Sequence, residues 1–143
     1  MVVDDMGVSR GLLIQAIEEM GIWKNQAEND GAAALQKLIA DPVHLVLSDY
    51  NMPGMDGLQL LQALRQNRST ARIGFILVTG NPTPDLVRTG KALGLNNIIK
   101  KPFSTASMKQ WIESVVGSLG MLWQNECDLM STVLQIFWLG HRN

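Results

Sequence analysis

Leu45-Val46-Leu47-Ser48-Asp49-Tyr50-Asn51-Met52-Pro53-Gly54-Met55-Asp56-Gly57 runs from an apolar strand through a lone carboxylate into a tight turn. Val43 to Leu47 is apolar and β-branched in part, apart from His44, a pattern that suits a strand buried on both faces of a parallel sheet. Such a strand places Asp49 at its carboxyl end, where open α/β sheets bind ligands. Pro53-Gly54 punctuates the loop, and Asp56 or Gly57 is placed to cap a helix that begins at Leu58. Taken alone, the stretch fits a strand, a turn and an N-cap with Asp49 merely solvated equally well.

The flanking sequence repeats the same alternation. Met1 to Val3 is a stub of apolar strand that ends at Asp4-Asp5. Gly7 to Ser9 then read as a turn, and Leu12, Leu13, Ala16, Ile17 and Met20 recur at helical spacing up to Gly21. Ile22 to Glu28 reads as a less apolar edge strand, followed by turn chemistry at Asn29-Asp30-Gly31 and a helix from Ala32 to Ala40 that Asp41-Pro42 stops. Beyond Asp49, Leu58, Leu60, Leu61 and Leu64 mark a third helix to about Gln66. Ile73 to Val78 is a fully apolar strand ending at Thr79-Gly80. Pro82 and Pro84 open a fourth helix near Asp85 that Gly94 closes after Ala92 or Leu93. Asn97 to Lys100 is a fifth strand, and Lys101-Pro102-Phe103 leads into a helix from Ser104 to about Val116 with Met108, Trp111, Ile112, Val115 and Val116 on one stripe. Five β/α pairs in strict alternation predict a parallel sheet with helices on both faces and right-handed crossovers.

Composition narrows the function. The chain has 143 residues, about one domain's worth, with a formal net charge of −1 and 17% charged residues. That balance offers no basic field for a nucleic-acid backbone, so direct DNA binding is not expected. A single cysteine, Cys127, excludes an intramolecular disulfide framework and a multi-cysteine metal site. The amino terminus carries no basic leader, and no apolar run approaches the roughly 20 residues of a membrane span. A soluble protein of the reducing cytoplasm is expected.

Strand ends carry the chemistry. In a doubly wound sheet the carboxyl ends lie on one edge, so Asp4, Asp5, Asp49, Thr79 and Lys101 converge from far apart in sequence. Three crowded carboxylates raise one another's pKa unless a hard cation neutralises them, and Mg²⁺ is the natural occupant because it prefers oxygen ligands and keeps several waters. With the metal, Asp49 can stay ionised as a nucleophile while the Lys101 ammonium and the Thr79 hydroxyl stabilise an incoming phosphoryl group. The set implies an acyl phosphate on Asp49. No His/Cys/Asp nucleophile triad, Gly-rich P-loop or G-x-G-x-x-G supports rival chemistry, and His44 and His141 read as structural.

Val2-Val3-Asp4-Asp5, Asp49-Tyr50-Asn51-Met52-Pro53-Gly54-Met55-Asp56-Gly57, Val78-Thr79-Gly80 and Lys101-Pro102-Phe103 together resemble the receiver domain of two-component response regulators, close to the single-domain chemotaxis (CheY-like) type. Any one of these motifs is weak; four in order at four strand ends are specific. The resemblance covers residues 1–119 and implies a flavodoxin-like (βα)5 fold with strand order 2-1-3-4-5. It implies that Asp49 is the phosphoacceptor, that Asp5, Asp49 and the backbone carbonyl of Asn51 ligate Mg²⁺, and that Asp4 acts largely through water. Thr79 and Lys101 would contact the phosphoryl group, and the Lys101-Pro102 bond would be cis. Asn51 and Asn81 would flank the approach of hydrolytic water, with small Gly80 leaving the acyl phosphate open. A histidine kinase or histidine phosphotransfer domain would be the donor. A downstream protein would read the state from the face made by the fourth helix, fifth strand and fifth helix.

Three features depart from that pattern. Ile98 stands where the family carries an aromatic residue that rotates behind the phosphorylated site, so Thr79 and loop motion are left to carry the signal. The first strand begins at Met1, without the several residues that usually precede it, and lower stability than a longer receiver is expected. Residues 120–143 form a surplus segment in which Trp123, Cys127, Met130, Leu134 and Phe137 are spaced three or four apart, as in an extra amphipathic helix. That tail reads either as a helix packed on its own domain or a disordered appendage, or as a homodimerisation or partner-docking element exposing Trp123, Phe137 and Trp138. Cys127 reads as a small apolar residue and not a redox centre.

The leading expectation is a phosphorylation-dependent signalling receiver whose catalysis is limited to its own phosphorylation and dephosphorylation. A degenerate receiver acting as a constitutive binding module is the alternative. A Mg²⁺-dependent aspartyl-phosphate hydrolase is a third reading, weakened because Asn51 occupies the position where such an enzyme needs a second acid/base carboxylate.

Overall fold

Short apolar runs become the central strands because each is buried on both faces, and the helices between them supply the cover. The computed structural model describes residues 1–21 and 25–118. Five strands, β1 (Val2–Val3), β2 (Ala27–Glu28), β3 (Leu45–Asp49), β4 (Gly74–Thr79) and β5 (Asn97–Lys100), form one sheet in the order β2-β1-β3-β4-β5, every neighbouring pair parallel. Helices α1 (Gly7–Glu19), α2 (Gly31–Ala40), α3 (Gly57–Gln66), α4 (Pro84–Ala92) and α5 (Thr105–Ser118) make the crossovers. The fold class and strand order are those the sequence predicts.

Alternation along the strands sorts the core into two layers. Val2, Leu45, Leu47, Ile76, Val78 and Ile99 pack with Leu13, Ile17, Met108 and Ile112 of α1 and α5. Val3, Val46, Phe75 and Leu77 point the other way, against α2, α3 and α4 through Leu38, Leu60, Leu61, Leu64 and Leu86. The two-residue β1 is nevertheless central and fully buried; the backbone nitrogen of Met1 donates to the Leu45 carbonyl at 2.9 Å and extends its ladder by one residue.

Several boundaries differ from the sequence expectation. Gly7 to Ser9 are the first turn of α1, not a turn before it: the Arg10 amide bonds the Met6 carbonyl at 2.8 Å, so the helix opens as soon as the chain leaves Asp5. Leu12, predicted on the apolar stripe, is 54% exposed, and the buried face is carried by Leu13, Ala16 and Ile17. Strand β3 starts at Leu45 and ends on Asp49, two residues later than Val43 to Leu47. β2 is confined to Ala27–Glu28; residues 22–24 of its predicted span, and the predicted C-terminal helix at 120–143, lie outside the described residues.

Local chemistry fixes how the chain re-enters its helices. Asp30 caps α2 by accepting from the amides of Ala32 and Ala33 at 2.7 and 3.1 Å. Of the two candidate caps for α3, Asp56 is the one used, in a reciprocal box with Gln59 at 2.8 and 2.9 Å. Gly57 has a different task. A Cβ there would lie 2.6 Å from both the Asp49 carbonyl oxygen and a Leu77 methyl, so the absence of a side chain lets α3 start directly against the end of β3.

Gly57→Ala is therefore expected to lower stability by about 1–3 kcal/mol through overpacking. Gly11→Ala, in the middle of α1 with nothing within 4 Å of the new methyl, should raise it by about 0.5–1 kcal/mol. Urea unfolding of the two variants measures both signs, and a neutral Gly57→Ala would contradict the close approach.

Candidate functional site

Register brings the strand ends level. Val3 pairs with Ser48, Asp49 with Val78 and Thr79 with Lys100, so Asp4, Asp49, Thr79 and Lys101 reach one edge of the sheet within two residues of each other. Asp4, Asp49 and Thr79 are buried, and Asp5 is half-buried. One carboxylate oxygen from each of Asp4, Asp5 and Asp49 lies within 4.8 Å of the other two.

Lys101 faces this cluster. Its Nζ donates to Asp49 Oδ1 at 3.0 Å and to Ser9 Oγ at 2.9 Å, and stands 3.7 Å from Asp4 Oδ2, an ion pair without a hydrogen bond. The Lys101 amide donates to the Thr79 carbonyl at 2.9 Å, and the Lys101-Pro102 peptide is cis. Asp4 Oδ1 accepts from the Met6 amide at 2.9 Å while Arg10 Nη1 donates to the Asp4 backbone carbonyl at 2.8 Å. The first turn of α1 is thereby tied to the end of β1.

The negative charge is incompletely compensated. Asp4 Oδ2 and Asp5 Oδ1 are buried oxygens without a hydrogen-bond partner, and a buried unpaired carboxylate oxygen is costly. Burial pushes the Asp49 carboxyl above its ordinary value of 3.8; the Lys101 hydrogen bond opposes the rise, and the charges of Asp4 and Asp5 add to it. Orphaned carboxylate oxygens converging on one point fit a small, hard, oxygen-seeking divalent cation that retains part of its water shell.

Thr79 and Asn51 lie on the far side of Asp49. Thr79 Oγ1 accepts from the Asn81 amide at 3.2 Å, which leaves the hydroxyl proton free to donate elsewhere. Asn51 is exposed and follows Tyr50, whose amide is held by the Val78 carbonyl at 3.0 Å. Asn51, Thr79, Asn81 and Leu86 line an open cleft of about 520 Å³ that runs from the strand ends to the start of α4. The six residues singled out in the sequence thus share one sheet edge. Ser9 and Arg10 were not singled out: they follow Asp5 in a stretch that reads as a turn, and their contacts with Lys101 and Asp4 appear only once that stretch is helical.

Residues 1–113 match the family described as the response regulator receiver domain. The chain belongs to the response regulator receiver family. It is 40% identical over 119 residues to a probable chemotaxis protein CheY of Rhizobium etli, a match covering 83% of this chain and 92% of the relative. Among solved structures it is similar to the chemotaxis protein CheY4 of Vibrio cholerae, with a TM-score of 0.74 and 25% identity over 80% of this chain and 94% of that one. It shares its fold with the receiver domain of a sensor histidine kinase of Pseudomonas aeruginosa, solved with a magnesium ion coordinated in its active site cleft, at a TM-score of 0.73 and 21% identity over 81% and 94% of the two chains. This protein is a CheY-like receiver of two-component signalling. Among the described residues of the receiver, no helix is long and apolar enough to cross a membrane.

The raised carboxyl of Asp49 has a stability consequence. Between 3.8 and the higher folded value, the folded receiver binds the Asp49 proton more tightly than the unfolded chain, so stability falls as pH rises through that window and stays lowered above it. Asp49→Asn removes the charge and keeps an oxygen for Lys101. In chelator-containing buffer at neutral pH it should melt above the parent, with the gap closing as pH falls toward the ordinary carboxylate range. Equal melting temperatures at neutral pH would refute the raised value.

Proposed function

We propose that this receiver accepts a phosphoryl group on Asp49 with Mg²⁺ bound beside it, and signals by binding a partner protein in that state. The observation that carries the reading is the placement of Lys101 Nζ 3.0 Å from Asp49 Oδ1 on the edge where Asp4 and Asp5 present buried oxygens without a hydrogen-bond partner. The carboxylates of Asp5 and Asp49 and the backbone carbonyl of Asn51 would hold the metal, with Asp4 acting largely through water. Bound there, Mg²⁺ neutralises the carboxylate repulsion and offsets the charge of the phosphoryl oxygens.

In the transfer, an Asp49 carboxylate oxygen forms the new O–P bond while the donor's bond to phosphorus breaks. The electron pair leaves with the donor. Lys101, already directed at Asp49 and braced by Ser9, supplies a cation to the transferred group, and Thr79 supplies a hydroxyl proton. The donor is a histidine kinase or a histidine phosphotransfer domain, which places the protein in the cytoplasm.

The output surface is the face of α4, β5 and α5. The cleft from Thr79 to Leu86 links the phosphorylated site to the first turn of α4. Ile98 is half-buried and packs with the α2, α3 and α4 layer; lacking a ring to rotate, it leaves the readout to Thr79 and the loop that follows it.

Incubation with Mg²⁺ and acetyl phosphate should give an acid-stable, base-labile adduct in the parent and none in Asp49→Asn. Lys101→Ala should slow its formation by about 10²-fold, the usual loss on removing one group that stabilises developing charge. No adduct in the folded parent would leave a constitutive binding module as the reading. Rapid turnover of a phosphate ester would instead indicate a hydrolase.

A further inference from the structure

Lys101 has more acceptors in front of it than it uses. Its ammonium carries three N–H donors, and two are spent, on Asp49 Oδ1 at 3.0 Å and on Ser9 Oγ at 2.9 Å. A third acceptor, Asp4 Oδ2, stands 3.7 Å away, outside the usual hydrogen-bond reach of about 3.2 Å by only about 0.5 Å. That oxygen is buried and has no hydrogen-bond partner. An unsatisfied buried carboxylate oxygen draws a neighbouring cation, so some group must hold the ammonium back. Ser9 is placed to do so.

The position of Ser9 is itself fixed. Asp4 Oδ1 accepts from the Met6 amide at 2.9 Å, the Arg10 amide donates to the Met6 carbonyl at 2.8 Å, and Arg10 Nη1 donates to the Asp4 carbonyl at 2.8 Å. These bonds set the first turn of α1, with half-buried Ser9 in it, against the end of β1. They also divide the Asp4 carboxylate. Oδ1 is committed to α1, which leaves Oδ2 as the oxygen able to accept from a metal-bound water. The Lys101 ammonium and a hydrated cation therefore compete for one atom.

We propose that Ser9 is a positioning residue whose hydroxyl oxygen holds the Lys101 ammonium off Asp4 Oδ2 and keeps that oxygen available to the water shell of Mg²⁺. The inference rests on the Mg²⁺ reading above and adds to it a residue outside the ligand set. Without the Ser9 oxygen, the freed N–H closes on Asp4 Oδ2, and the metal must break an ion pair to regain it. Residues that act on a metal from outside its ligand set typically carry about 10- to 100-fold in affinity. Ser9 controls one water-mediated contact and belongs at the lower end of that range.

Isothermal titration calorimetry of the full chain with MgCl₂ tests this independently of phosphorylation. Ser9→Ala should weaken Mg²⁺ binding by about tenfold relative to the parent. Lys101→Ala, which removes the competitor, should bind Mg²⁺ at least as tightly as the parent, and adding Ser9→Ala to it should change the affinity no further. Alanine suits a helix, so Ser9→Ala is expected to fold, and circular dichroism checks each variant. Equal affinity in a Mg²⁺-binding parent and in Ser9→Ala would overturn the role of Ser9 alone. So would an equal loss with and without Lys101, because the hydroxyl would then act on the site without the ammonium. A folded parent that binds no Mg²⁺ would overturn the metal reading of the edge, and this proposal with it.

Discussion

Asp4, Asp5 and Asp49 are held against their mutual repulsion at one edge of a buried sheet, and the rest of the molecule is arranged to hold them there. Two of their oxygens have no hydrogen-bond partner, and the ammonium facing them is shared between Asp49 and Ser9, with Asp4 a longer ion pair away. Buried charge of this kind relaxes if its support yields. The apolar layers on both sides of β1 and β3 resist that relaxation, because separating the carboxylates would mean moving strands packed on Leu13, Ile17, Leu60 and Leu61.

The support extends well beyond the edge itself. Gly57 lets α3 begin against the Asp49 carbonyl, which sets how closely the loop after β3 can lie over the site. Arg65, at the other end of α3, donates to the carbonyls of Ala71, Ile73 and Gly94 at 3.0, 2.7 and 2.9 Å. One planar guanidinium thus ties the entry of β4 to the turn between α4 and β5, where Gly94 adopts φ +86°. These ties fix the strands whose far ends carry Thr79 and Lys101, and the strain of the site is borne by the whole sheet.

Much of this was legible in the residues. Asp49, Thr79 and Lys101 each follow an apolar strand, and strict alternation of strand and helix leaves few ways to place those ends other than together. What failed was local. Gly7 and Ser9 are poor helix formers, so the first turn of α1 reads as a turn until the Met6 and Arg10 backbone groups are seen to bond. Ser9 and Arg10 were missed with it. Leu12 reads as core from its spacing, because an apolar residue at helical spacing does not declare which side of the stripe it takes, and the fold leaves it exposed. Arg65 could not be read at all, since its partners are backbone carbonyls that any sequence offers.

The need of the carboxylate edge for a cation is tested most directly by thermal unfolding with and without Mg²⁺. Ligand binding to the folded state alone must stabilise it by mass action. Millimolar Mg²⁺ is expected to raise the melting temperature of the parent, with a sharply smaller rise in Asp5→Asn, while in chelator the variant should melt above the parent because charge is removed. A melting temperature indifferent to Mg²⁺, or an equal rise in parent and Asp5→Asn, would contradict it.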